Sequence, residues 1–421
     1  MAAEYDIVII GSGPAGLAAA LSASQNGAKV LLCEKLSRPS VKLLASGGGR
    51  CNFSNTLPEQ KFMAAFGRNG RFMTDALRVF GRDQLLDFLR SQGVEPVLED
   101  GVHYFPKSRS AMDVRDAFLD RAVKAGAVLK TDMQITALRL TEDGSAVAGI
   151  ETASGFSPCS RIILAAGGMA MSTLGGTSAG LELARKAGHT IVKPLPAMAP
   201  LRVKESFAGS LAGVSLPDAA LTFNAEKRRF DARGELVFTH DGLSGPAALD
   251  LSADAYRVFE REGELEFFFN PVSKMTAGTW RDQLEQFRTK EPQKLVKNSL
   301  AKFMPHSLAD ALCGKFVLAD FKNCELSNIT IEDFSRWLTA IPMHISALCQ
   351  MNKAMAMSGG VSLKEVNPKT MESRLVSGLY FAGEILDLAG PCGGYFIQFS
   401  FSSGYLAGLS AAEQNVTQRS I

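Results

Sequence analysis

The chain has 421 residues, too many for one ordinary core, so two or three domains are expected. Its 45 basic and 43 acidic residues leave a net charge of +2, which provides no electrostatic footprint for nucleic acid or an anionic membrane. Seven cysteines without a CxxC pair, no basic leader before the first strand and no apolar run of bilayer length point to a cytoplasmic protein in a reducing compartment.

The first element is Asp6-Ile7-Val8-Ile9-Ile10, a β-branched run that suits a strand buried on both faces of a parallel sheet. Gly11-Ser12-Gly13-Pro14-Ala15-Gly16 follows, then an alanine-rich helix over 17–23 and a second strand, Lys29–Cys33, ending at Glu34 and Lys35. Gly11 permits a tight turn, Gly13 lets the backbone approach a pyrophosphate, and Gly16 lets helix and strand pack closely. The helix start, at Pro14 and Ala15, offers free N–H groups and a positive dipole end. Glu34 stands roughly 20 residues beyond the motif, where an acid takes the ribose hydroxyls. A glycine motif alone is weak evidence. Strand, glycines, helix, strand and acid in that order point to dinucleotide binding.

Lys42-Leu43-Leu44-Ala45-Ser46-Gly47-Gly48-Gly49-Arg50-Cys51-Asn52 reads as irregular, because three successive glycines cost backbone entropy unless something must approach closely. Backbone N–H groups here suit a ribityl chain or a flavin edge, with Lys42, Ser46, Arg50 and Asn52 as polar handles. Two short strands are expected over 126–130 and 132–138; by analogy with FAD folds of this type, where the backbone at such a site often meets adenine, Ile135 is the residue expected there. Arg161–Leu164 is a further strand, entering Ala165-Ala166-Gly167-Gly168 beside the dinucleotide. Gly175–Gly180 opens a helix to about Gly188, with glycine spacing wrong for a second dinucleotide motif.

Between about 195 and 355 the pattern changes. Short alternating runs at 221–223, 228–230 and 236–238, with Gly234 at a turn, and Glu264–Phe269 read as strands. Residues 277–340 read as mostly helical. The expected division is a FAD domain over 1–194 and 355–421, a β-rich substrate domain over 195–275 and 341–354, and a helical insertion over 276–340. His240 lies in a polar turn and is the one catalytic candidate. Cys51 and Cys392 flank glycine loops and read as small hydrophobes.

Near the C-terminus, Gly378–Phe381 is a strand leading to Ala382, Gly383 and Glu384, an acid suited to ribityl hydroxyls. Gly390-Pro391-Cys392-Gly393-Gly394-Tyr395-Phe396-Ile397 then enters a helix whose N-terminal dipole would stabilise negative charge on a reduced flavin. A dinucleotide unit at the start and a second contact segment near the end favour the elongated FAD over NAD.

Together these motifs resemble the aminoacetone-oxidase-like and bile-acid ene-reductase-like family of NAD(P)/FAD-dependent oxidoreductases. The resemblance rests on Ser46–Asn52, Phe238–Pro246, Ser358–Leu363, Pro368–Ser373, Phe381–Glu384 and Gly393-Gly394-Tyr395, and spans the chain. Phe396–Phe399 departs from it where an asparagine is usual, and Ala165-Ala166 where Ala-Thr is usual. It implies an α/β architecture: a split Rossmann-like FAD domain, three-layered on a parallel sheet, with an inserted β-barrel-like subdomain and a helical one.

The function expected is hydride exchange between flavin N5 and a small-molecule substrate, by an amine oxidase or by a reductase with NADH or NADPH as transient donor. No metal-ligand or Ser/His/Asp cluster competes. A flavin-dependent RNA-modifying or RNA-binding protein and a non-catalytic flavin-binding regulator are the other readings.

Overall fold

The computed structural model describes residues 4–419, with side chains described through residue 413. The chain forms two compact units, one of residues 1–195 and 356–421, the other of residues 196–355.

The first unit is built on five parallel strands in the order Leu379–Phe381, Arg161–Leu164, Ile7–Ile10, Val30–Cys33 and Val128–Lys130. Ile7–Ile10 stands in the middle and every residue in it is buried, as its unbroken apolar run requires. The opening helix, Pro14–Gln25, has ten buried residues and almost no polar face. Alanine serves this position doubly, as the strongest helix former and as the side chain that lets another backbone come close. That backbone is the closing helix, Tyr395–Arg419. A Cβ on Gly404 would stand 2.0 Å from the Ala15 carbonyl oxygen, and one on Gly408 2.3 Å from that of Ala19. The two ends of the chain are thereby in backbone contact. This unit also holds two three-stranded antiparallel sheets: Ser54–Asn55 with His103–Pro106 and Pro96–Leu98, and Ile135–Leu140 with Val147–Thr152 and Gly155–Pro158.

The second unit contains a closed barrel of six strands, in the order Leu201–Val203, Gly242–Ser244, Arg228–Thr239, Ser215–Ala225, Glu266–Asn270 and Ile341–Ala347. Its interior is filled by Leu221, Phe223, Leu236, Phe238, Phe267 and Phe269, all at most 1% exposed. A barrel this small is a packed core and not a channel. Helices Ala277–Lys290, Val296–Leu300, His306–Lys315 and Asn328–Thr339 carry a second cluster around Trp280, Phe287 and Phe334.

Three expectations are corrected. Gly234 is not at a turn: it lies inside a 12-residue strand opposite Ala219, where the register slips. The hairpin turn is Glu226-Lys227, with φ of +52° and +60°, the left-handed pair that matches strand twist. Residues 42–45 are not irregular, because Val41–Ala45 forms a helical turn and only the glycines beyond it depart from regular geometry. The polar turn after His240 leads into a helix, Pro246–Glu262, absent from the sequence reading.

His189 tests the packing of the first unit. Its side chain is fully buried, with Nε2 2.9 Å from Ser373 Oγ, Nδ1 3.3 Å from Glu365 Oε2, and the ring edge-on to Phe381. Ser373 Oγ already accepts the Leu375 and Val376 amides, so its own proton is free to go to Nε2. Burial holds the imidazole below its ordinary range, with Glu365 opposing. The folded state therefore resists a proton that the unfolded chain accepts below about pH 6.5, and this contribution to stability is present above that pH and lost as pH falls through it. Thermal unfolding of the wild type is expected to fall between about pH 7.5 and about pH 5.5 by more than that of His189→Gln. Equal falls would remove His189 from the account.

Candidate functional site

The glycine turn after the first strand closes against two neighbours. Gly11 has φ +100°, donates its N–H to the Cys33 carbonyl at 2.8 Å, and a Cβ there would stand 2.5 Å from the Ala165 oxygen. A Cβ on Gly16 would stand 1.8 Å from the Gly11 carbonyl oxygen, so this glycine closes the turn on itself. Gly13 differs: it is the N-cap, φ −64°, with nothing within 4 Å of a Cβ. No side chain caps this helix, Pro14 lies in its first turn, and the first turn holds no acid. The first-turn amides and the dipole thus face open space, a cradle for an anion that a larger residue at Gly13 would fill.

Glu34 is 8% exposed and fixed by its neighbours. Its Oε2 accepts the Ser12 hydroxyl at 2.5 Å and the Ser12 amide at 3.2 Å, and Oε1 accepts the Leu36 amide at 2.9 Å. A carboxylate has lone pairs for about four bonds, so capacity remains for sugar hydroxyls. The Met133 amide donates to the Glu34 carbonyl at 2.8 Å, which brings the segment leading to buried Ile135 beside this acid. Lys35 is half-buried, and burial lowers its ammonium from the usual range.

A second group of residues gathers around Glu384. Lys42 Nζ lies 2.8 Å from Glu384 Oε2 and 3.1 Å from Oε1, and the Met357 amide donates to Oε1 at 3.1 Å. The turn Ala165-Ala166-Gly167-Gly168 packs here, since a Cβ on Gly168 would stand 3.1 Å from the Glu384 carboxyl carbon. Gly383, φ +78°, lies against Ala15: a Cβ there would meet the Ala15 Cβ at 2.9 Å. Glu384 is therefore tied to the opening helix, to the turn that follows the strand Arg161–Leu164, and to Lys42 together.

In the glycine loop, Gly47, Gly48 and Gly49 all have positive φ, as does Cys51. Ser46 Oγ donates to the Leu43 carbonyl at 2.6 Å, and the Ser46 carbonyl accepts the Cys51 amide at 3.0 Å. Arg50 clamps the loop: Nε donates to the Gly47 carbonyl, Nη1 meets Glu99 Oε2 at 2.9 Å, and the guanidinium lies over the Phe105 ring. Burial pushes the Cys51 thiol up to about 12, so it is an inert small hydrophobe.

Gly393 and Gly394, with φ of +107° and +83°, turn the chain into the closing helix. A Cβ on Gly394 would stand 2.7 Å from the Ser54 amide and 2.8 Å from Asn52 Oδ1, so only glycine fits. Asn55 Nδ2 donates to the Gly393 carbonyl at 2.9 Å. Tyr395 stacks on Phe62 at 4.9 Å, and Phe396 approaches Phe66. Residues 391–397, including Ile397, are only half-buried. Asn52 Oδ1 and Ser54 Oγ are buried here without hydrogen-bond partners among the described residues, which is the expected signature of a polar ligand that supplies them.

His240 belongs to the second unit. It is exposed in its turn, beside a small crevice lined by Arg202, Lys204, Glu205 and Asp241. The first unit holds a pair that the sequence reading missed, Asp100 and His103, in the short turn Asp100-Gly101-Val102-His103 between two strands. The only sequence signal was an aspartate three residues ahead of a histidine. No helix among the described residues is long and apolar enough to cross a membrane.

The profile of the HI0933-like protein Rossmann domain matches residues 5–410, and the chain belongs to that family. It is 30% identical over 412 residues to the 3-dehydro-bile acid delta(4,6)-reductase of Clostridium scindens, covering 97% of this chain and 99% of that one. It is 28% identical over 408 residues to the ribosomal RNA dihydrouridine synthase of Escherichia coli, covering 96% of each. Among solved structures it resembles a flavocytochrome c3 fumarate reductase, with 16% identity, TM-score 0.52 and coverage of 97% of this chain and 78% of that one. It also resembles the 3-ketosteroid-delta4-(5alpha)-dehydrogenase of Rhodococcus jostii, with 15% identity, TM-score 0.51 and coverage of 98% of both. The fold is that of the FAD-binding oxidoreductases.

Proposed function

We propose that this chain is an FAD-dependent oxidoreductase that reduces a carbon–carbon double bond conjugated to a carbonyl in a small-molecule substrate, with NADH or NADPH as a transient electron donor. The observation that carries the reading is the open, uncapped helix start at Gly13, in a unit whose closing helix packs on that same opening helix. In this reading the first-turn amides after Gly13 take the pyrophosphate and Glu34 the adenosine ribose. The Ile135 segment meets adenine. Glu384 and Lys42 take the ribityl hydroxyls, and the loop 46–52 and turn 393–397 border the ring. When bound, FAD supplies hydride transfer at N5. The chain orients it, and the closing helix's N-terminal amides stabilise negative charge at the ring edge.

The chemistry that two relatives are named for supports this direction. A delta(4,6)-reductase and a dihydrouridine synthase both saturate a double bond conjugated to a carbonyl, on a steroid and on a pyrimidine. An amine oxidase of the aminoacetone-oxidase type runs the flavin the opposite way. Anaerobic mixing of the yellow protein with NADH or NADPH is expected to bleach the flavin, and a conjugated steroid enone is expected to restore the colour. Bleaching by simple amines, with recovery and peroxide in air, would reverse the direction.

The Escherichia coli relative supports a second reading, with uridine in RNA as the carbonyl-conjugated acceptor. The net charge of +2 stands against it. Recolouring by ribosomal RNA and not by the steroid, with binding that weakens steeply in salt, would establish it. A flavin inert to every donor would instead mark a regulator.

A further inference from the structure

His103 sits at the start of the strand His103–Pro106, directly across from Asn55. Its ring is held from one side only. Nδ1 lies 2.5 Å from Asp100 Oδ2, while the other Asp100 oxygen accepts the amides of Val102 at 3.0 Å and His103 at 2.8 Å. That carboxylate is locked in place, and its hydrogen bond with His103 holds it well below the usual carboxylate range. An aspartate so fixed sets the tautomer: the proton stays on Nδ1, and Nε2 is the nitrogen that gains and loses one.

Nε2 has no hydrogen-bond partner among the described residues. It points at the turn into the closing helix, 2.6 Å from where a Cβ on Gly393 would stand. The same turn is gripped by Asn55, cross-strand from His103, and borders the unsatisfied Asn52 Oδ1 and Ser54 Oγ. The side chain keeps 31% exposure, a route to solvent protons. Of the five histidines, His189 is sealed in the core, His306 bonds Asn298, His344 lies between Glu205 and Glu266, and His240 is an exposed turn residue. His103 combines a carboxylate-fixed ring with a free nitrogen aimed at the site.

We propose that His103, positioned by Asp100, is the proton donor of the reduction. The inference rests on the FAD reading above and adds the group that completes it. Hydride from the reduced flavin forms a C–H bond at the far carbon of the conjugated double bond, and the π pair moves to the carbon next to the carbonyl. That carbon takes a proton as the Nε2–H bond of the His103 imidazolium breaks. The substrate has gained two electrons and two hydrogens, the flavin has lost two electrons, and water returns a proton to Nε2. The charged and titratable groups around the imidazole are Asp100, Glu99 with its partners Arg50 and Arg109, and Tyr395.

The test separates the two half-reactions in the FAD-loaded protein. His103→Gln is expected to keep FAD content and bleaching by the nicotinamide donor, while recolouring by the enone slows about 100-fold, the lower end of general acid–base catalysis. Asp100→Asn, which leaves the histidine but unfixes it, is expected to slow the same step by about 10-fold. A readout free of turnover is the His103 ring signal in NMR, identified by its loss in His103→Gln. It is expected to shift when FAD is added to apoprotein. Unchanged recolouring in His103→Gln, or a ring signal indifferent to FAD, would overturn the assignment. Failure of the wild type to bind FAD or to bleach with any donor would instead sink the reading on which it rests.

Discussion

Gly13→Val is expected to yield a folded, colourless protein. The position has backbone angles that valine adopts, φ −64° and ψ −178°, and nothing within 4 Å of a Cβ, so the fold itself is indifferent to the branch. The ligand is not indifferent. The branch would occupy the space over the first-turn amides of Pro14–Gln25, where a diphosphate must come within hydrogen-bond distance. Loss of those bonds is expected to weaken FAD at least about 100-fold, roughly 2.7 kcal/mol. Flavin absorbance per chain after purification checks the first half, and an unchanged circular dichroism spectrum the second. Full flavin content in the variant would move the diphosphate elsewhere.

Gly404→Val is expected to do the reverse, removing the fold along with the ligand. A Cβ there would stand 2.0 Å from the Ala15 carbonyl oxygen and 2.7 Å from its carbon. Neither atom is the far end of a flexible side chain, so the helices must separate. The opening helix is buried along its length and has little polar surface to tolerate the gap. The expected loss is about 3 kcal/mol or more, the upper range for an overpacked core, read as a lowered urea midpoint of the apoprotein. Gly13→Val measured alongside should leave that midpoint in place. Equal midpoints for all three proteins would mean that the helices are not in backbone contact.

What was legible in the sequence had local causes. The strand Ile7–Ile10, the glycine turn and Glu34 carry their geometry in neighbouring residues, and the structure places them together. The barrel was read less well, because the cues compete. Gly234 looks like a turn, yet Arg228–Thr239 runs through it, paired with Ser215–Ala225 along its length. Glu226-Lys227 carry no glycine, and their left-handed turn follows from hairpin twist. Pro246 follows the polar turn around His240 and starts a helix, a signal that proline gives as readily as it gives a turn. The pairing of Lys42 with Glu384, and the aim of His103 at Gly393, join segments from far apart in the chain. No spacing rule reaches across the second unit, so these contacts became visible only in three dimensions.

The Lys42–Glu384 pair bears on how the site takes its ligand. With side chains 31% and 12% exposed, it is a partly desolvated pair at the point where opening helix, central sheet and closing segment meet. It holds the acid in place before any sugar hydroxyl arrives, and Lys42 balances its charge. That is preorganisation, which lowers the ordering cost of binding.

The most direct test is a titration of apoprotein with FAD, followed by quenching of flavin fluorescence. One FAD per chain, bound by the wild type and lost in Gly13→Val, is the result expected of a diphosphate cradle at the first helix. A wild-type protein that takes up no flavin at any concentration, or a Gly13→Val chain that binds it as tightly as the wild type, would contradict it.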